Sequence, residues 1–150
     1  MSASYRVDEL VPHADRMCLL SSIVDYGDDW LQAEVEITPD SMFADARGVP
    51  AWIGLEYLAQ TIAAYSGLQE RRHGGQPKIG LLLGTRRYSC NVERFEFGQK
   101  LRLRVSPEVV ADNGLNVFDC ELQGEGVRAT AMINVFQPDD AEAFLNEATQ

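Results

Sequence analysis

A chain of 150 residues, 45% of them hydrophobic, is expected to form a single domain over residues 1–150, long enough to bury most of the surface its unfolded form exposes. Its net charge of −10 argues against a nucleic-acid partner. Cys18, Cys90 and Cys120 are far apart and form no CxxC pair, and His13 and His73 are the only histidines, so ordinary reduced thiols are expected, with no metal and no cofactor.

The N-terminus MSASYRVDELVPH lacks the basic start, apolar core and small-residue cleavage site of a signal peptide, so a cytoplasmic location is expected. Residues 5–20 carry Leu10-Val11-Pro12-His13 and then Met17, Leu19 and Leu20. Ser21–Tyr26 and Trp30–Ile37 read as a strand pair around Gly27-Asp28-Asp29, because Leu31, Ala33, Val35 and Ile37 alternate with polar residues. Residues 38–49 form a loop.

From Gly48 to Gln69 the only charged side chain is Glu56. Pro50 suits a first helical turn, and Gly67 with Gly74-Gly75 offers exits, so the stretch predicts a long helix. With Trp52, Ile53, Leu55, Tyr57, Leu58 and Ile62 it has almost no polar face, as a buried helix would. Glu56 and Gln60, four residues apart, then share one line on it. A buried Glu must find a partner or take up a proton, since desolvation disfavours the charged form. Such a group suits acid/base work; alternatively it is a structural Glu bonded to backbone or to a partner subunit. Gln60 and Glu56 also rule the stretch out as a membrane span.

Four more strand-like runs follow: Ile79–Cys90, Gln99–Val110, Leu115–Gln123 and Val127–Phe136, joined by turn signals such as Asp112-Asn113-Gly114. Residues 139–150 look like a short acidic helix outside a core of about 9–137. Two strands, a long helix and four strands make an α+β fold in which an antiparallel sheet of roughly six strands wraps the helix. Such a sheet cannot surround the helix, so a homodimer or larger assembly is the natural completion.

Charge is unevenly spread. Residues 71–104 hold nine Lys/Arg against two Asp/Glu, between acidic flanks. The nine, among them Arg86 and Arg87, either converge on an acidic partner or are solvated strand faces.

The order of elements and three local motifs resemble the hotdog superfamily, and within it the 3-hydroxyacyl-acyl-carrier-protein dehydratases. Residues 10–20, LVPHADRMCLL, resemble the family's LPHRxPxLLVD opening, and residues 48–60, GVPAWIGLEYLAQ, its PGxxxxEAxAQ helix. Residues 80–84, GLLLG, stand where the family has an FLLG-type strand. The Pro-x-Trp-x-Gly-x-Glu-Tyr-x-Ala-Gln helix is most similar to the subgroup linked to aryl-polyene biosynthesis. One departure is serious: the family's catalytic His, fourteen residues before the helix Glu, is here Met42.

The resemblance implies loss of water from a 3-hydroxyacyl thioester on an acyl carrier protein. His13, either a structural His or the replacement base, would take the α-proton, and Glu56 would protonate the departing hydroxyl. Backbone N–H groups around Gly48 to Ala51 would bind the thioester oxygen, Gln60 would orient the Glu56 carboxyl or a water, and Trp52, Tyr57 and Leu81 to Leu83 would line an acyl tunnel or simply belong to the core. Arg86 and Arg87 would dock the carrier protein. Two alternatives stay open: a hotdog thioesterase using the helix carboxylate, and a catalytically silent subunit in a heterodimer with a related dehydratase.

Overall fold

The computed structural model describes residues 19–72, 82–110 and 115–136. His13, Cys18, His73 and the acidic tail therefore lie outside the described residues. In chain order the elements are β1 (Ser22–Tyr26), β2 (Leu31–Glu36), β3 (Val49–Pro50), a 3-10 turn (Ala51–Ile53), α1 (Gly54–Arg72), β4 (Leu82–Cys90), β5 (Arg94–Phe95), β6 (Lys100–Val110), β7 (Leu115–Gly124) and β8 (Val127–Phe136). Six of the strands form one antiparallel sheet in the order β1-β2-β6-β7-β8-β4. The helix packs on this sheet, which is the hotdog arrangement.

Period-2 patterning places the core. On β2, Leu31, Ala33 and Val35 are buried; on β6, Leu101, Leu103 and Val105; on β8, every second residue from Val127 to Val135. Against these faces α1 sets Tyr57, Leu58, Ile62, Ala64 and Leu68. Each fully buried Leu or Ile contributes roughly 1.5–3 kcal/mol. That magnitude explains the helix end: Gly67 does not terminate α1 but lies inside it, because a helical glycine costs about 1 kcal/mol, less than the burial of Leu68 returns. Pro50, expected in the first turn, instead closes β3 with φ −57° and ψ 138°, opposite Arg94.

The two-residue ladder β3–β5 went unread in the sequence, yet it ties the loop before the helix to the chain beyond β4. Ahead of it the loop makes a turn in which the Ser41 N–H donates to the Thr38 carbonyl (2.9 Å) and the Ser41 hydroxyl accepts the Thr38 N–H (2.9 Å). Phe43 follows with φ +70°, a left-handed conformation uncommon for a bulky side chain. The Asp45 carboxylate accepts the N–H groups of Arg47 (2.8 Å) and Gly48 (3.2 Å) and pairs with the Arg94 guanidinium. The Arg47 N–H does most to hold the Asp45 pKa below its ordinary 3.8; desolvation opposes it and Arg94 assists.

Two outcomes follow from this loop. Gly48 has φ +145°, and a Cβ there would stand 2.1 Å from the Phe95 carbonyl oxygen. Gly48→Ala should therefore cost roughly 1–3 kcal/mol in urea unfolding, and an unchanged midpoint would contradict the close approach. Asp45→Asn keeps an acceptor for the two N–H groups but removes the charge. A folded-state pKa below the unfolded one stabilises the fold above pH 3.8, and that contribution is lost as pH falls through the depressed value. The variant should melt below the wild type at neutral pH, and the two melting temperatures should converge under acid. A gap that persisted at about pH 2 would assign the effect to something other than charge.

Candidate active site

Helix α1 has an inner and an outer row. Tyr57 (1% exposed), Gln60 (2%) and Thr61 (0%) face the sheet. The buried Thr61 hydroxyl is satisfied by the Tyr57 carbonyl at 2.8 Å, one turn back. The outer row begins with Trp52, 67% exposed, and continues four residues later with Glu56, also exposed. The expected burial of Glu56 is thus corrected for the single chain. Among the described residues the sheet packs against the buried row of α1, and Glu56 is exposed outside that row.

The helix entrance is more tightly bonded than expected. Gly48 N–H donates to Asp45 Oδ1, and Ala51 N–H donates to the Glu93 carbonyl at 2.9 Å. The free donors expected at Gly48 and Ala51 are therefore already used inside the chain. The Ala51 carbonyl is engaged too, by the Tyr88 hydroxyl from β4 at 2.6 Å. Gly54 makes this possible, since a Cβ at that position would lie 2.4 Å from the Tyr88 oxygen. Burial raises the Tyr88 pKa, so the phenol stays a donor.

Trp52 is not walled into a tunnel by its own chain. Its ring stands 6.5 Å from that of Phe43, itself 52% exposed, so the two make an outward aromatic pair. Sequence patterning had no means of finding Phe43, because only the loop's turn brings it to Trp52.

Gln60 is nearly inaccessible and holds the chain that leads into β1. Its Oε1 accepts the Leu19 N–H at 2.7 Å, tying the approach to β1 onto the helix across 41 residues. The segment so held, Leu19–Ser21, is one wall of a cavity of about 440 Å³. Val35, Thr38 and Met42 contribute the second wall and Tyr57 the third. Met42, standing where the resembling enzymes carry histidine, thus lines a cavity with a neutral thioether. Tyr57 is nearly inaccessible, and desolvation pushes its phenol up to about 12.

The described basic side chains are spread over several faces. Lys100, Arg102 and Arg104 lie along the outer side of β6, directly opposite Glu36, Glu34 and Gln32 of β2. Arg104 also faces Glu121 on β7, and its guanidinium stands 4.7 Å over the Trp30 ring. Arg72 is 3.3 Å from Asp28, and Arg94 is held by Asp45. For these residues the solvated-face reading applies. Arg87 is exposed on β4, an edge strand, and Arg86 is the extra residue of a bulge between Thr85 and Arg87. Of the cysteines, Cys90 and Cys120 are free thiols, and burial pushes Cys120 up to about 12.

Among the described residues no helix is long and apolar enough to cross a membrane. A search of curated protein sequences finds no significant match. Among solved structures, the chain is similar to the dehydratase heterocomplex ApeI:P from Xenorhabdus doucetiae, with 25% identity, a TM-score of 0.84, and coverage of 95% of this chain and 97% of that one. More distant likenesses show the fold alone. One is the sigma28-regulated virulence protein Cj0977 from Campylobacter jejuni, with 16% identity, a TM-score of 0.57, and coverage of 91% and 89% of the two chains. Another is a hypothetical thioesterase with coenzyme A from Streptococcus pneumoniae, with 14% identity, a TM-score of 0.50, and coverage of 79% and 88%. The family model described as ApeP-like, ApeP dehydratase, matches residues 5–146. The chain, a hotdog protein along its described length, therefore belongs to the ApeP-like dehydratase family.

Proposed function

We propose that this chain takes part in dehydrating 3-hydroxyacyl thioesters, held on an acyl carrier protein, to 2-enoyl thioesters in aryl-polyene or related lipid biosynthesis. The match to a dehydratase family over residues 5–146 carries the reading. In the reaction a base takes a proton from C2, the C–H electrons form the C2–C3 double bond, and hydroxide leaves C3 with a proton from an acid, as water. Glu56 is the acid and His13 the base. Glu56 can work in a dry site only once something covers it, and the exposed Trp52 and Phe43 beside the helix entrance supply an apolar surface for that cover.

The cover we infer is a second, related dehydratase subunit. Its support is the 25% identical relative, which belongs to a dehydratase heterocomplex, together with Met42, which cannot move protons. A second subunit would bring its own groups against Glu56.

Incubation of the chain, alone and with such a subunit, with 3-hydroxyacyl carrier-protein thioesters and mass spectrometry of the products tests the reading. Loss of water is expected, whereas thioester cleavage or inertness in both settings would overturn it. Glu56→Gln should leave melting unchanged, because the side chain is exposed, and lower turnover by roughly two orders of magnitude. His13→Ala should lower it similarly; full activity in that variant would remove His13 from the mechanism.

Carrier docking is assigned to Arg86 and Arg87, whose strand lies at the sheet edge. Reversing both to Glu should slow a carrier-protein thioester about ten- to a hundred-fold, about 1.4 to 2.8 kcal/mol, and abolish its salt dependence. A pantetheine thioester should be almost unaffected. Equal effects on both substrates would place the arginines in the fold or the chemistry instead.

A further inference from the structure

Gly54 is a glycine for space, not for backbone conformation. Its φ of −55° and ψ of −31° are ordinary helical values that any residue adopts, and it lies buried in the first turn of α1. Glycine is the poorest helix former after proline, so local propensity disfavours it there. What excludes a larger residue is the Tyr88 hydroxyl, 2.4 Å from where a Cβ would stand. Helix propensity is given up two residues before Glu56 to admit one phenol oxygen.

That oxygen does not rescue an orphan group. It donates to the Ala51 carbonyl at 2.6 Å, which already accepts the Gly54 N–H. The Ala51 N–H is engaged as well, by the Glu93 carbonyl at 2.9 Å. Both polar backbone groups of a residue five positions ahead of Glu56 are thus tied to β4 and the segment that follows it. Tyr88 is itself fixed, because its ring packs on the core and its backbone pairs with Ala131 of β8. Burial raises its pKa, so the donor proton is kept. At the other end of α1, Gln69 donates to the Asp28 carbonyl (3.0 Å) and Arg72 pairs with the Asp28 carboxylate (3.3 Å). The Gln69 bond is exposed, whereas the phenol bond is shorter and half-buried.

A helix transmits such a tie. With its own hydrogen bonds in place, the first turn and a half moves as one body, so a shift of Ala51 is a shift of Glu56. A reacting group misplaced by about 1 Å loses about a hundred-fold in rate.

We propose that Tyr88 is a positioning residue: its hydroxyl, admitted by Gly54, fixes the Ala51 carbonyl and through it the placing of the Glu56 carboxyl against the departing hydroxyl of the substrate. This rests on the acid role proposed above for Glu56. Tyr88 acts through Ala51 and exchanges no proton.

The test is a cycle of Tyr88→Phe, Gly54→Ala and the two together, in the full chain with the second subunit where dehydration needs it. Three quantities are read: melting temperature, hydrogen exchange over residues 51–58, and turnover of a 3-hydroxyacyl carrier-protein thioester. Tyr88→Phe should speed exchange in that segment and lower kcat about ten-fold at constant KM. Gly54→Ala alone should melt below the wild type, since its Cβ meets the hydroxyl, and adding Tyr88→Phe should raise the melting temperature again. A merely structural role would restore kcat along with stability, whereas positioning leaves kcat low in the double variant. Wild-type kcat or unchanged exchange in Tyr88→Phe, recovery of kcat in the double variant, or a double variant no more stable than Gly54→Ala would each overturn the proposal. If the wild type does not dehydrate at all, faster exchange confined to residues 51–58 in Tyr88→Phe would support the anchor while the reaction assigned above failed.

Discussion

One sheet covers one side of one helix, and most of what this molecule can do depends on that. The six-stranded sheet buries the Tyr57, Leu58, Ile62 and Leu68 side of α1, at a gain of roughly 1.5–3 kcal/mol for each large side chain. With no second layer on the other side among the described residues, Trp52 and Glu56 stay exposed. An apolar helix with a single acid on it therefore divides its two kinds of chemistry: hydrogen-bonding groups face the sheet and the ionisable carboxylate faces away. The cavity belongs to the first side and the aromatic pair to the second.

The entrance to α1 is held by bonds that skip far along the chain. Glu93 receives the Ala51 N–H, Tyr88 donates to the Ala51 carbonyl, and β3 pairs with β5. Donors used in this way cannot bind a substrate, but they hold the first turn in one position, so that Trp52 and Glu56 are presented by rigid backbone. The left-handed conformation at Phe43 belongs to the same loop, between the Thr38–Ser41 turn and the Asp45–Arg94 pair. Interactions on both sides are what allow such a conformation to persist in a non-glycine residue.

The strands were legible because burial on one face imposes period 2. Trp30–Ile37 was expected and Leu31–Glu36 is observed; Val127–Phe136 was expected and found. The helix was legible from its apolar run, and the family from three motifs in order. Three features were not legible, each for a physical reason. Two-residue strands such as β3 and β5 have no period to detect. An apolar helix does not declare which side a sheet will cover, so Glu56 read as buried. Bonds such as Gln60 to Leu19 or Ala51 to Glu93 depend on tertiary proximity, which no local pattern encodes.

Proton economy separates the two neighbours Glu56 and Tyr57 further. Burial pushes the Tyr57 phenol up to about 12, so it stays protonated at neutral pH. Tyr57 therefore stays a neutral phenol, and on the proposed reading the proton that reaches the departing hydroxyl comes from the outer row, where Glu56 stands. That row is also the one its own sheet leaves uncovered. On the proposed reading, covering Trp52 and enclosing Glu56 are then the same event, so assembly with a second subunit would switch on the chemistry as well as bury the surface.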